Sequence, residues 1–164
     1  MDNAYNAKLK AKGVYEDDVY FPSQAECNLY KILRKYKDQY ILTTHESVLV
    51  CPQINKRWKI DFTLRPIDTI SMNKLVELHT VCTGTRPTGY IHQLHIEYKG
   101  YNDKNFRDHM LVAIGCKSDI IPRLILVSDH ASAYVCEDIP NRSRTILLIN
   151  SFHAIQYWMN EIFN

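Results

Sequence analysis

Apolar residues recur at helical spacing in FPSQAECNLYKILRKYKDQ, where Leu29, Ile32, Leu33 and Tyr36 fall on one face. Ser23 precedes that run and Glu26 stands three residues later, the spacing of a capping box. The pattern then changes. YILTTHESVLVCPQ is rich in Val, Ile, Leu and Thr and reads as extended, and WKIDFTLRP reads as a second strand stopped by Pro66. INKR between them predicts a turn, so the two strands form a hairpin. TISMNKLVEL predicts a short helix and TGTRPTG a loop. A third strand, YIHQLHIEYKG, leads into a helix over NDKNFRDHMLVAIGCK, with Asn102 as cap and an apolar stripe through Phe106, Met110, Ala113 and Ile114. RLILVSD is the continuous apolar run of a buried strand, RTILLIN resembles it, and SFHAIQYWMNEIFN ends the pattern as a helix capped by Ser151. Helix, three strands, helix and strand, with a further strand and helix appended, predict an α/β domain with a mixed sheet.

Bulk properties narrow the class. A length of 164 residues favours one domain, residues 1–164, with a real core. No run approaches the roughly 18 apolar residues a membrane span needs. MDNAYNAKLKAKG lacks the apolar stretch of a secretory signal, so the expectation is a cytoplasmic protein with no membrane partner. The cysteines, at 27, 51, 82, 116 and 136, include no C-x-x-C pair and read as small core residues in a reducing compartment. HTVC, from His79 to Cys82, offers half a metal site without a second half. The net charge of +2 announces no polyanionic partner by itself. Basic residues nonetheless cluster at Lys8, Lys10 and Lys12, at Lys31, Arg34, Lys35 and Lys37, and at Lys56, Arg57 and Lys59. Solvated surface is the common meaning of such runs.

Three charged residues sit where a strand seldom keeps them. Asp61 is bracketed by Ile60, Phe62 and Leu64, and Glu97 and Lys99 end the third strand two residues apart, on one side of it. Each has a blander alternative: Asp61 facing solvent with Lys59 and Thr63, and Glu97 with Lys99 forming an exposed face on an edge strand. Together they suggest more. Adjacent strands bring both carboxylates to one place, where they repel unless a cation lies between them. Mg²⁺ suits two carboxylates, because it takes oxygen ligands and keeps waters for a substrate phosphate. A lysine beside such water can position it for attack on phosphorus.

Asp61, a long gap, then Glu97-Tyr98-Lys99 resembles the PD-(D/E)XK nuclease superfamily, whose core of helix, three-stranded meander, helix and strand matches residues 23 to 130 as read above. The resemblance implies a restriction-endonuclease-like core (α-β-β-β-α-β) with an extra strand and helix, and makes residues 67–89 an insertion between the second and third core strands. It implies Asp61 and Glu97 as metal ligands with the Tyr98 backbone carbonyl, and Lys99 as the catalytic lysine. It also gives Glu26 the place of the acidic residue on the first core helix, against its reading as half of a capping box. FPSQAECNLYKIL is similar to the opening helix of small phage and mobile-element endonucleases of homing, resolvase-like or TnsA-like type. One departure stands out: Ile60, not proline, precedes Asp61. The implied activity is Mg²⁺-dependent hydrolysis of DNA phosphodiesters, with Mn²⁺ able to substitute, on double-stranded or branched DNA. One active site cuts one strand, so the resemblance also implies a homodimer or higher homo-oligomer.

Candidate contacts to nucleic acid follow from placement. The 67–89 segment supplies Asn73, Lys74, Thr83, Thr85, Arg86 and Thr88, the hairpin tip supplies Arg57, and Tyr101, Lys104 and Arg107 follow Lys99 closely. His95 is the histidine that shares a strand face with Glu97 and Lys99. Two other readings remain: an inactive nucleic-acid-binding module of the same fold, and a protein-interaction domain for which near-neutral charge leaves room.

Overall fold

The computed structural model describes residues 13–84, 86–87, 91–98, 104–128, 148–150 and 152–164. They fall into two compact units, Met1–Lys35 and Tyr36–Asn164. In the first, β1 (Val14–Glu16) and β2 (Val19–Phe21) form an antiparallel hairpin followed by α1 (Gln24–Arg34). The hairpin turns on Asp17 and Asp18, whose φ values of 53° and 64° meet the type I′ requirement for left-handed backbone at both central positions. Ser23 caps α1, its hydroxyl accepting from the Glu26 N–H.

Acidic residues of the hairpin bind the basic face of α1. The Tyr30 hydroxyl donates to Asp17 at 2.8 Å, and Arg34 donates to Glu16 and Asp17 at 2.7 and 2.9 Å. Arg34, read from sequence as part of a basic cluster, is therefore committed to ion pairs within its own unit. Burial, and then the bond to Asp17, push the Tyr30 phenol up to about 12. The unfolded chain releases that proton near pH 10. Between about pH 10 and pH 12 the unfolded state thus binds fewer protons, and stability falls as pH rises. Tyr30→Phe is expected to flatten that loss in alkaline thermal melts.

The second unit is built on a mixed sheet in the order β3-β4-β5-β6-β7. β3 (Tyr40–Cys51) and β4 (Lys56–Pro66) form the expected hairpin, joined by a turn at Pro52–Ile54 and left-handed Asn55. β5 (Leu94–Tyr98) continues antiparallel to β4, and β6 (Leu124–Ser128) and β7 (Leu148–Asn150) add in parallel. β5 is therefore central, which explains why Leu94 to Glu97 are all buried.

Helices flank the sheet. α3 (Lys104–Gly115) places Met110 and Ala113 in a core with Val50, Trp58, Ile60, Leu124 and Leu126. α2 (Thr69–Thr83) is longer than TISMNKLVEL suggests, because Leu75, Leu78 and Cys82 continue its buried face as far as left-handed Gly84. Asp68 and Ser71 form a complete capping box at its start. α4 (Phe152–Phe163) buries Ile155, Met159, Ile162 and Phe163. It docks within its own unit: Phe163 meets the rings of Tyr36 and Tyr40, and Gln39 donates to the Phe163 carbonyl at 2.7 Å.

One expectation is overturned. Cys51, at the end of β3, and Cys116, after α3, form a disulfide with Cα atoms 5.7 Å apart. Their separation of 65 residues concealed the pairing from any local spacing rule. Cys27 and Cys82 are buried and unpaired as thiols, the role expected for all five. Among the described residues no helix is long and apolar enough to cross a membrane.

Candidate functional site

The β4/β5 ladder stops at Phe62↔Ile96, one step before Asp61 and Glu97 come opposite each other. On its other edge β4 pairs Phe62 with Thr44 and Ile60 with Glu46, so His45 faces Asp61 across a gap in that ladder too. Asp61 thus stands where the hydrogen-bond pattern of a central strand opens on both sides.

Side chains take over where the ladder fails. The Asp61 N–H donates to Glu97 Oε1 at 3.0 Å, and the Tyr98 N–H donates to Asp61 Oδ2 at 2.9 Å. Each carboxylate so accepts a backbone proton from the opposite strand, a reciprocal clasp that fixes both. Asp61 is half-buried and Glu97 is only 1% exposed. The solvent-facing alternative for Glu97 is thereby excluded; burying a carboxylate is costly unless hydrogen bonds compensate, and the clasp supplies one. Lys59, Asp61 and Thr63 are exposed, half-buried and buried in turn, so β4 sinks into the core as it passes this point.

Around the clasp lies a polar cluster that the sequence did not announce. Arg65 donates to both Glu46 oxygens at 2.7 and 2.8 Å and to Gln93 at 3.2 Å, while Thr43 donates to Glu46 at 3.1 Å. The Arg65 bond holds the Glu46 carboxyl below its usual range. His95 is buried, with Nδ1 3.0 Å from Thr63 Oγ1. Burial, helped by Arg65 and Arg123, pushes its ring down to about 4, so it is a neutral imidazole near pH 7.

The structure brings together Asp61, Glu97 and Tyr98 from the expected set. Glu26 belongs to the first unit, buried on α1. Lys99, Tyr101 and Thr85 lie outside the described residues, as do the proposed caps Asn102 and Ser151 and the Lys8, Lys10 and Lys12 cluster. Lys104 and Arg107 open α3 as expected. Arg86 is exposed just beyond α2. Arg57 is exposed near the hairpin tip, four residues from Asp61 or about 13 Å along the strand, and donates to the Ser47 carbonyl. Lys74 donates to Gln39 at 2.7 Å and lies over the Phe163 ring, contacts that anchor α2 to α4. Thr83 is buried and turned back on the His79 carbonyl at 2.8 Å. It is not available to a phosphate. His79 and Cys82 are likewise buried on α2, where HTVC serves packing.

No protein-family model, curated protein or solved structure matches the chain.

Two carboxylates at one register, fixed by backbone donors, are a donor set that fits a hard divalent cation. A carboxylate has two oxygens and about four acceptor positions, so a backbone bond to one oxygen does not preclude ligation. Sequence reasoning missed His45. It has φ 55° in the middle of a twelve-residue strand, a left-handed backbone that costs a non-glycine residue about 1–2 kcal/mol. Histidine tolerates this conformation better than most residues. No periodicity marks it, because the strain belongs to the backbone.

Proposed function

We propose that the chain is a metal-dependent DNA endonuclease with a restriction-endonuclease-like core, acting on double-stranded or branched DNA. The observation that carries the reading is the reciprocal bonding of Asp61 and Glu97 where the β4/β5 ladder opens. Strand order supports it, and in the sequence Lys99 follows Glu97 by two residues. Asp61, Glu97 and the Tyr98 carbonyl would hold Mg²⁺ or Mn²⁺. The ion, when bound, supplies charge neutralisation and Lewis acidity at the scissile phosphate. The chain's own part is to fix the two carboxylates through backbone donors and to orient an attacking water with the Lys99 ammonium. A homodimer would supply one site per DNA strand.

The burial of Glu97 favours one second reading, an inactive nucleic-acid-binding module in which the clasp is purely architectural. Supercoiled plasmid and branched DNA incubated with Mg²⁺, and with chelator, separate the two. Wild type is expected to cut only with metal, and Lys99→Ala to lose cutting while keeping DNA binding. Salt-sensitive binding by wild type without any cutting supports the second reading instead.

A further inference from the structure

We infer that His45 is a metal ligand beside Asp61, and that its nitrogen gives the centre a preference for borderline transition ions such as Co²⁺ over Mg²⁺. The inference rests on the proposed role of Asp61 as a ligand and names what the resemblance does not.

A ring nitrogen of His45 and a carboxylate oxygen of Asp61 lie within 4.8 Å of each other. Two ligands on one octahedral ion with bonds near 2.1 Å are about 3 to 4 Å apart, so a small adjustment closes the pair on a cation. Both residues are half-buried, accessible to an ion yet shielded from bulk water. Their register is set by the β3/β4 ladder, which pairs the hairpin on both sides of the gap from Tyr40↔Pro66 to Cys51↔Lys56. A ligand pair on such a rigid hairpin is preorganised.

The left-handed backbone at His45 adds to this. It falls at the step opposite Asp61 that the β3/β4 register skips, within a strand otherwise regular up to Leu49. An ordinary strand conformation would continue the alternation of the ladder. Positive φ interrupts it and re-aims the side chain at the gap. Imidazole suits Co²⁺, Ni²⁺ and Zn²⁺, whereas carboxylate, carbonyl and water alone suit Mg²⁺ and Mn²⁺. A centre in which an imidazole joins carboxylate ligation therefore binds the later ions more tightly than an all-oxygen centre does.

The test is calorimetric titration of the full chain with CoCl₂ and with MgCl₂, for wild type, His45→Asn and His45→Gly. Asparagine and glycine both accept positive φ, so the variants keep the hairpin while removing the imidazole. Thermal melts confirm folding. Loss of the ligand is expected to weaken Co²⁺ binding by at least about tenfold, on the scale by which weaker perturbations of metal sites act. Mg²⁺ affinity should change much less. In Co²⁺-loaded wild type, a paramagnetically shifted, exchangeable imidazole N–H resonance is expected, and both variants should lack it. Equal Co²⁺ affinity in folded variants, or persistence of the resonance, overturns the inference. Mg²⁺-dependent cutting without a His45-dependent Co²⁺ difference would leave the nuclease reading standing and this one refuted. Absence of both metal binding and cutting would remove the two together.

Discussion

Asp61→Asn is expected to cut Mg²⁺-dependent plasmid nicking by on the order of a hundredfold or more, because a charged ligand worth several kcal/mol at the transition state is lost. The substitution is chosen for what it preserves. Asparagine keeps an oxygen that accepts from the Tyr98 N–H, so the strand junction survives while the negative charge goes. Glu97→Gln does the same for the Asp61 N–H. Glu97→Ala does not: it strands a backbone donor, at a cost of about 1–3 kcal/mol. The amide variants should therefore melt near wild type and fail to cut, whereas Glu97→Ala should fail at both. Amide variants that cut at wild-type rates would show that the carboxylates serve architecture alone.

Reduction of the Cys51–Cys116 disulfide is expected to lower stability by about 4 kcal/mol, the chain-entropy value for a closed loop of this length. For a protein of this size that corresponds to a fall of about 10 °C in melting temperature. The comparison is a calorimetric melt with and without dithiothreitol, repeated on Cys51→Ser, which should match the reduced wild type in both. No difference on reduction would mean that the two sulfurs are not bonded in solution. The bridge also matters for the site, since the loop between residues 51 and 116 contains Asp61, Glu97, Tyr98 and Lys99. It ties the end of β3 to the helix that follows the Glu97 strand.

The legible parts of the fold were those encoded locally. Ser23 before an amphipathic run gave the start of α1, and two β-prone runs around a polar tetrapeptide gave the hairpin of β3 and β4. The end of α2 was missed because HTVCT mixes β-branched residues with a histidine, and only the sheet beneath it makes the face of Leu75, Leu78 and Cys82 helical. The β1/β2 hairpin was missed because its turn is Asp-Asp without the glycine that usually announces such a turn. The meeting of Asp61 and Glu97 was legible because charge inside an apolar strand contradicts its surroundings, and such contradictions are visible in letters. His45 and the disulfide were not. One is a matter of a single dihedral angle and the other of a contact across 65 residues. Thr83 looked like a polar loop donor and proved to be a buried helix residue, since hydroxyls on helices often bond the preceding turn.

The most direct measurement is anomalous diffraction from crystals soaked in MnCl₂. The account predicts a peak bounded by the carboxylates of Asp61 and Glu97 and absent from Asp61→Asn crystals. A well-ordered structure with the clasp intact, saturating Mn²⁺ in the soak and no anomalous density at that junction would contradict it.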